Sequence, residues 1–181
     1  RLNKPRLTLP HLQQALAYLQ PLQKPTLLAD CLFELGIHYR KVVDFKLSID
    51  YLQQALAAYK HTQNSKKILT TYQYLVLALQ EQGNRTLASA YLDSCLLRLH
   101  EETDSAVHSR TLAVMGDSFY SQGSIDKAKP LFAEALYLRS PRGMTRLRAF
   151  CALRLGQISF TLEQPDSADH YFEEVVQLCQ A

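Results

Sequence analysis

The chain has 181 residues, a formal net charge of +3 and 47% hydrophobic residues. The hydrophobic content excludes a disordered chain, and so mild a positive charge gives no reason to expect direct binding of nucleic acid. No apolar run approaches the ~18 residues of a membrane-spanning helix, so we expect no membrane insertion. Leu, Ala and Gln are plentiful whereas Gly and Pro are few, a mixture that favours helices over sheets.

Apolar residues recur with a helical period along the chain and predict nine helices. In chain order, these span residues 8–20, 26–42, 45–61, 66–82, 85–101, 104–121, 125–138, 142–162 and 166–180. Asp44, Asn84 and Ser124 stand forty residues apart at predicted helix starts, and all three are good N-cap residues. Gly83 and Gly123 precede two of them and suit the C-terminal end of the preceding helix.

Alternate helices repeat at a step of forty residues, without insertion or deletion. The segment LQQAL occurs at 12–16 and again at 52–56. The step defines a column of large apolar residues, Leu12, Leu52, Leu92, Phe132 and Phe172. Four residues earlier runs a column of small residues, Thr8, Ser48, Ala88, Ala128 and Ala168. Such regular spacing predicts five helices that bury the same face, each the second helix of a pair.

The first helix of each pair has its own columns at the same step. The pairs are Leu35-Gly36, Leu75-Val76, Met115-Gly116 and Leu155-Gly156. A glycine inside a helix costs about 1 kcal/mol relative to alanine. The glycines at 36, 116 and 156 therefore indicate close packing, where a facing helix leaves no room for a side chain.

These columns resemble the tetratricopeptide (TPR) repeat, which has a Leu-Gly pair and an aromatic in its first helix and small and large apolar residues in its second. The likeness is clearest at Leu35, Gly36, Tyr39, Ser48, Leu52 and Ala55, and again at Met115, Gly116, Phe119, Ala128, Phe132 and Ala135. The resemblance implies an all-α, right-handed superhelical solenoid of antiparallel helix pairs, with four full units after one leading helix. A TPR unit has 34 residues, and the forty-residue unit is similar to the sensor arrays of bacterial regulators.

We expect one array over residues 1–181, cut from a longer protein. The units would span approximately 1–22, 23–62, 63–102, 103–140 and 141–181. By the geometry of the family, the first helices line a concave groove that grips a protein or peptide segment. The implied groove residues are Phe33, Glu34, Ile37, Arg40, Lys41, Gln73, Tyr74, Leu77, Gln80, Arg110, Val114, Asp117, Tyr120, Arg154 and Gln157.

The predicted function is a non-catalytic scaffold that binds a protein or peptide, more specifically the sensory or regulatory region of a larger bacterial regulator. The alternative is a structural oligomerisation module, and self-association through exposed array ends is a further expectation. Some TPR domains hold chaperone tails in a Lys/Asn/Arg clamp. At the matching positions here, only Arg110 agrees in charge, so we expect no binding of chaperone tails.

No catalytic, cofactor or phosphate-binding motif is present in the sequence. His100 and His108 flank an acidic turn, but their spacing fits a solvated loop better than a metal site. The arginines of residues 139–154 form either a basic patch or, as we favour, a solvated face. Cys31, Cys95, Cys151 and Cys179 fit no metal or redox pattern. We interpret them as buried thiols in a cytoplasmic protein.

Overall fold

The computed structural model describes residues 9–22, 24–99, 104–138 and 144–180. These residues form nine α-helices and a short 3-10 helix (Gln20–Leu22), with no strand among them. The α-helices are α1 (Leu9–Leu19), α2 (Pro25–Lys41), α3 (Phe45–His61), α4 (Ser65–Gln82), α5 (Arg85–Leu99), α6 (Ser105–Ser121), α7 (Ile125–Tyr137), α8 (Thr145–Thr161) and α9 (Pro165–Gln180). The nine predicted helices and the all-α class are confirmed. None of the described helices has the length and apolarity needed to cross a membrane.

Packing contacts group the chain into two compact units, Arg1–Cys95 and Leu96–Ala181. In the first unit, α2 and α3 form a hairpin, with α1 packed on α2 and α4 packed on α3. In the second unit, α6 pairs with α7 and α8 pairs with α9, while α8 also packs on α7. We call α2, α4, α6 and α8 the first helices, and α3, α5, α7 and α9 the second helices. A single array over the whole chain, with the unit boundaries given above, stays a prediction.

The glycine column lies directly against the large apolar column, which confirms the close packing predicted for it. A Cβ atom added to Gly36 would lie 2.6 Å from Cγ of Leu52. On Gly116 it would lie 2.9 Å from the ring of Phe132. Gly156 faces Phe172 in the same way, at 2.6 Å. The two columns thus describe the two sides of one helix–helix contact that recurs in the hairpins.

The turn inside each hairpin also repeats. The residues with positive φ at these turns are Val43 (67°), Gly83 (88°), Gly123 (76°) and Glu163 (55°). Directly after the turn, the side chains of Asp44 and Asn84 accept hydrogen bonds from the backbone N–H groups of Leu47 (3.1 Å) and Leu87 (3.2 Å). Ser124 is the N-cap residue of α7, as predicted, but its side chain makes no capping hydrogen bond. There the backbone carbonyl alone begins the helix, accepting from the N–H group of Ala128 at 3.0 Å.

Three of the four cysteines lie in the interior. Cys31, Cys95 and Cys151 are buried, and burial raises the pKa of the Cys95 and Cys151 thiols to about 12. Cys179 is exposed, so the expectation of four buried thiols is wrong at this position. The corresponding residue three repeats earlier is Tyr59 of α3, and it is fully buried. The difference arises because the corresponding face of α9 is left open.

Candidate partner-binding surface

The predicted groove residues lie on the four first helices, and the structure buries them to different extents. Phe33 and Gln73 are buried, so they support the surface from beneath instead of presenting their side chains. Glu34, Lys41 and Arg110 are exposed. The others, Ile37, Arg40, Tyr74, Leu77, Gln80, Val114, Asp117, Tyr120, Arg154 and Gln157, are half-buried. Half-burial leaves part of each side chain free to contact a partner.

In the first unit, an aromatic and charged cluster joins α2 to α4. The rings of Phe33 and Tyr74 meet edge to face, with centroids 5.3 Å apart. The guanidinium group of Arg40 lies over the Tyr74 ring, 5.7 Å from its centroid. The same group forms an ion pair with Glu81 at 2.8 Å. The Tyr74 ring is therefore held between an apolar edge and a cation whose charge is already compensated.

In the second unit, the corresponding cluster joins α6 to α8. The Arg154 guanidinium lies over the ring of Tyr120, at 5.1 Å, and over that of Phe150, at 5.2 Å. It forms an ion pair with Asp117 at 2.6 Å and donates a hydrogen bond to the side-chain oxygen of Gln157 at 3.1 Å. Three other predicted groove residues, Asp117, Tyr120 and Gln157, thus meet around Arg154.

The two clusters use the same positions with the residue types exchanged. Arg40 and Tyr120 are eighty residues apart, which is two repeats, and so are Tyr74 and Arg154. In the first unit the cation comes from the earlier first helix, and in the second unit it comes from the later one. A cation–π contact is attractive in either arrangement. This contact could have been predicted from the sequence, because Arg and Tyr change places when positions 40 and 74 are compared with positions 120 and 154.

The neighbouring surface column differs in polarity between the units. Its members at positions 37 and 77 are Ile37 and Leu77, whereas those at 117 and 157 are Asp117 and Gln157. All four are half-buried. The first unit therefore presents aliphatic side chains beside its aromatic cluster, and the second unit presents hydrogen-bonding groups beside its own.

A half-buried carboxylate, that of Asp30, links three helices near the first cluster. Asp30 of α2 accepts hydrogen bonds from the Tyr59 hydroxyl of α3, at 2.5 Å, and from Lys67 of α4, at 2.7 Å. Burial favours a higher pKa for Asp30, but the bonds from Lys67 and Tyr59 outweigh it and lower the pKa below its usual value. Burial and the nearby Asp30 raise the pKa of Tyr59. The Lys67 ammonium also lies 5.9 Å from the centroid of the Phe33 ring. Lys67 therefore connects the Asp30 carboxylate to the aromatic cluster of the groove.

Two of the described arginines in the basic stretch 139–154, Arg148 and Arg154, form ion pairs. Residues 139–143 lie outside the described part of the chain. Arg148 pairs with Glu174 at 3.4 Å, in addition to the pair of Arg154 with Asp117. His100 likewise lies outside the described residues, and His108 is 3.6 Å from a carboxylate oxygen of Glu134. Within the described ranges, no group of three or more His, Cys, Asp or Glu side chains is placed to hold a metal ion.

An aromatic cleft that the sequence reasoning missed opens in the second unit. It encloses about 440 Å³ and is lined by Tyr120, Gln157, Phe160, Thr161 and Phe172. Phe160 stands in the same column as Arg40 and Tyr120, and it is 73% exposed. The cleft therefore continues the candidate surface along α8 and onto α9.

Comparison with known proteins agrees with this architecture. The family Tetratricopeptide repeat matches residues 151–181, which cover the α8–α9 hairpin. BtubC from P. vanneervenii, a solved structure, is 18% identical with a TM-score of 0.83, over 94% of this chain and 71% of that one. The TPR-like repeats of a putative kinesin light chain from Podospora anserina are 16% identical with a TM-score of 0.71, over 93% of this chain and 84% of that one. No curated protein matches the sequence.

A third solved structure is the Rap conjugation gene regulator of the plasmid pLS20 in complex with the Phr* peptide. It is 17% identical with a TM-score of 0.72, over 94% of this chain and 47% of that one, so this chain spans about half its length. The chain therefore has the fold of TPR-like helical-repeat proteins. At these identities the likeness establishes the fold, and the function has to be argued from the surface.

Proposed function

We propose that the chain is a non-catalytic scaffold that binds a protein or peptide segment along the exposed faces of its first helices. The observation that carries the proposal is the group formed by Ile37, Leu77 and Tyr74 on α2 and α4. All three are large and half-buried, and the resemblance to the TPR repeat assigns them to the groove. Apolar side chains kept at a surface gain about 25 cal/mol per Å² when a partner covers them.

The surroundings of this group favour binding by reducing its cost. Phe33 and Arg40 fix the Tyr74 ring, and Glu81 fixes Arg40 in turn. A ring that is already ordered loses less conformational entropy when a ligand covers it. Tyrosine and arginine are also the residues that most often dominate binding energy at protein interfaces.

A peptide held by a regulatory protein is the more specific form of the proposal. The Rap regulator that shares this fold was solved in complex with the Phr* peptide. That likeness supports a role for this chain as the sensory or regulatory region of a larger bacterial regulator in the cytoplasm.

The proposal is tested by selecting binders from a displayed library of random peptides and measuring their affinity by fluorescence anisotropy. We expect Tyr74→Ala and Leu77→Ala each to weaken the selected peptides about 5- to 30-fold, the range of interface hot spots. Leu97→Ala is the matched control, because Leu97 is 77% exposed on α5 and lies on a second helix. Undiminished binding to both groove variants would show that the surface is assigned wrongly.

Light scattering separates this proposal from the oligomerisation module. A scaffold with a free groove is expected to stay monomeric when no partner is present. A stable oligomer that Leu77→Asp dissociates would instead assign this face to contacts between copies.

A further inference from the structure

Two cations beside the aromatic cluster of the first unit are already paired with carboxylates of the chain itself. Nη1 of Arg40 lies 2.8 Å from a carboxylate oxygen of Glu81, and Nζ of Lys67 lies 2.7 Å from one of Asp30. Each pair joins α2 to α4, and α2 provides the cation of one pair and the anion of the other. A carboxylate brought by a partner would therefore find both cations compensated.

The Arg40–Glu81 pair disfavours an acidic segment next to it. The Glu81 side chain is the more exposed of the two, at 42% against 23% for Arg40. A partner carboxylate that displaced Glu81 would gain one ion pair and break another, so the exchange brings little net attraction. A carboxylate that approached without displacing Glu81 would be repelled by its charge.

Aliphatic side chains lie next to this pair on both helices. Ile37 precedes Arg40 by three residues on α2, and Leu77 precedes Glu81 by four residues on α4. Each therefore shares a helix face with one member of the pair. Ile37, Leu77 and the intervening Tyr74 are half-buried, so part of their apolar surface remains uncovered. What this place offers a partner is apolar surface and not an available charge.

The openness of this surface does not come from the point at which the sequence ends. The members of the column at positions 37, 77, 117 and 157 are all half-buried. They remain so although α4 packs beside α2 in the first unit and α8 packs beside α6 in the second. The next first helix therefore does not cover the column. The first unit fills it with Ile37 and Leu77, whereas the second unit has Asp117 and Gln157.

We propose that the first-unit surface, formed by Ile37, Tyr74 and Leu77 with the Arg40–Glu81 pair, binds an uncharged polypeptide segment through an aliphatic side chain of that segment. The aliphatic side chain covers Ile37 and Leu77, and the ion pair makes the surface reject acidic segments. Arg40 supports the Tyr74 ring and does not anchor a carboxylate of the partner. This inference rests on the function proposed above, since it names the chemistry of the segment that the same surface binds.

The first experiment uses the 181-residue chain and the peptides selected from the random library. We expect the peptides that Leu77→Ala weakens to share an aliphatic residue and to lack Asp and Glu beside it. Their affinity should change less than about twofold between about 50 and about 300 mM NaCl, because binding forms no exposed charge pair. Acidic peptides whose affinity falls at least about tenfold over the same range would overturn the inference.

A variant that gains affinity tests the ion pair directly. One selected peptide is prepared again with its most important aliphatic residue, identified by alanine scanning, replaced by Asp. We expect Glu81→Gln to bind this acidic peptide about two- to tenfold more tightly than the unmodified chain does, because Arg40 is then free to pair with it. Glu34→Gln is the matched control, since it removes an equal charge from the exposed side of α2 and leaves the Arg40–Glu81 pair intact. Equal gains in both variants would contradict the inference, because net charge alone would then explain them.

The results also separate this inference from the function on which it rests. We expect Glu81→Gln to bind the original aliphatic peptide as tightly as the unmodified chain does, which excludes a folding defect in the variant. If the selected peptides are acidic and Tyr74→Ala and Leu77→Ala weaken them, the surface binds a segment of a different chemistry, and this inference alone is wrong. If neither groove variant weakens any selected peptide, the surface is assigned wrongly and both proposals fail.

Discussion

The two units build the same surface position by position and give it different chemistry. In the first unit, Arg40 covers Tyr74 and the adjacent column is aliphatic; in the second unit, Arg154 covers Tyr120 and the adjacent column is Asp117 and Gln157. The contact between a cation and a ring persists although neither residue keeps its place. What the repeat preserves is therefore the interaction between successive first helices, while the residues around it set the polarity offered to a partner.

Substitutions of the glycines are expected to give the largest difference in stability between the two units. Gly36→Ala should destabilise the chain by about 1–3 kcal/mol, as overpacking does, in spite of the gain in helix propensity. The added Cβ would meet Cγ of Leu52 at 2.6 Å and its backbone nitrogen at 3.3 Å, and Leu52 is fully buried. Gly156→Ala should cost less, because its clash is with the ring of Phe172, which is partly exposed and free to move outward.

Urea denaturation of the two variants measures this difference. Hydrogen exchange of amides in α2–α3 and in α8–α9 then assigns the loss of stability to the helices around each glycine. Equal losses at Gly36 and Gly156 would mean that the open face of α9 does not relieve the clash.

Much of the fold could be predicted because it rests on local patterns that repeat. Both partners of one recurring helix–helix contact can be recognised in the sequence. They are the large residues Leu52, Phe132 and Phe172 and the glycines that face them. Helix caps were partly predictable, since Asp44 and Asn84 accept the expected bonds while Ser124 does not. Capping depends on the torsion of a single side chain, which a repeat pattern does not determine.

The candidate surface was harder to predict than the fold. The resemblance to the TPR repeat assigned Phe33 to the groove, but the structure buries it against Tyr74. Burial of that kind depends on how two helices from different hairpins cross, and one sequence period does not specify the crossing. The exposure of Phe160 and Phe172 was missed for a related reason, because their columns are buried or paired in the earlier repeats.

The exchanged clusters provide a second test of the comparison, of intermediate size. Arg40→Tyr and Tyr74→Arg should each cost the first unit about 0.5–1 kcal/mol, the strength of an exposed cation–π contact. The double variant recreates the arrangement of the second unit and should recover most of that loss. Adding Ile37→Asp then supplies the carboxylate that Asp117 provides to Arg154. Free energies of unfolding from urea titrations measure all of these variants, and a double variant no more stable than the worse single one would contradict the exchange.

The smallest effect is expected at Asp30, which distinguishes the units because its counterpart in the second unit is Arg110. The folded-state pKa of Asp30 lies below the value of about 3.9 expected in the unfolded chain. The stabilisation from its bonds is therefore fully present above pH ~4 and is lost as the pH falls further, when the carboxylate becomes protonated. Since the Asp30 side chain is 39% exposed, solvent screening limits this contribution to under about 1 kcal/mol. Asp30→Asn should therefore destabilise the chain more at pH 7 than at pH 3, whereas the exposed Asp50→Asn should change little at pH 7. A loss that persists unchanged at pH 3 would show that Asp30 acts through packing and not through its charge.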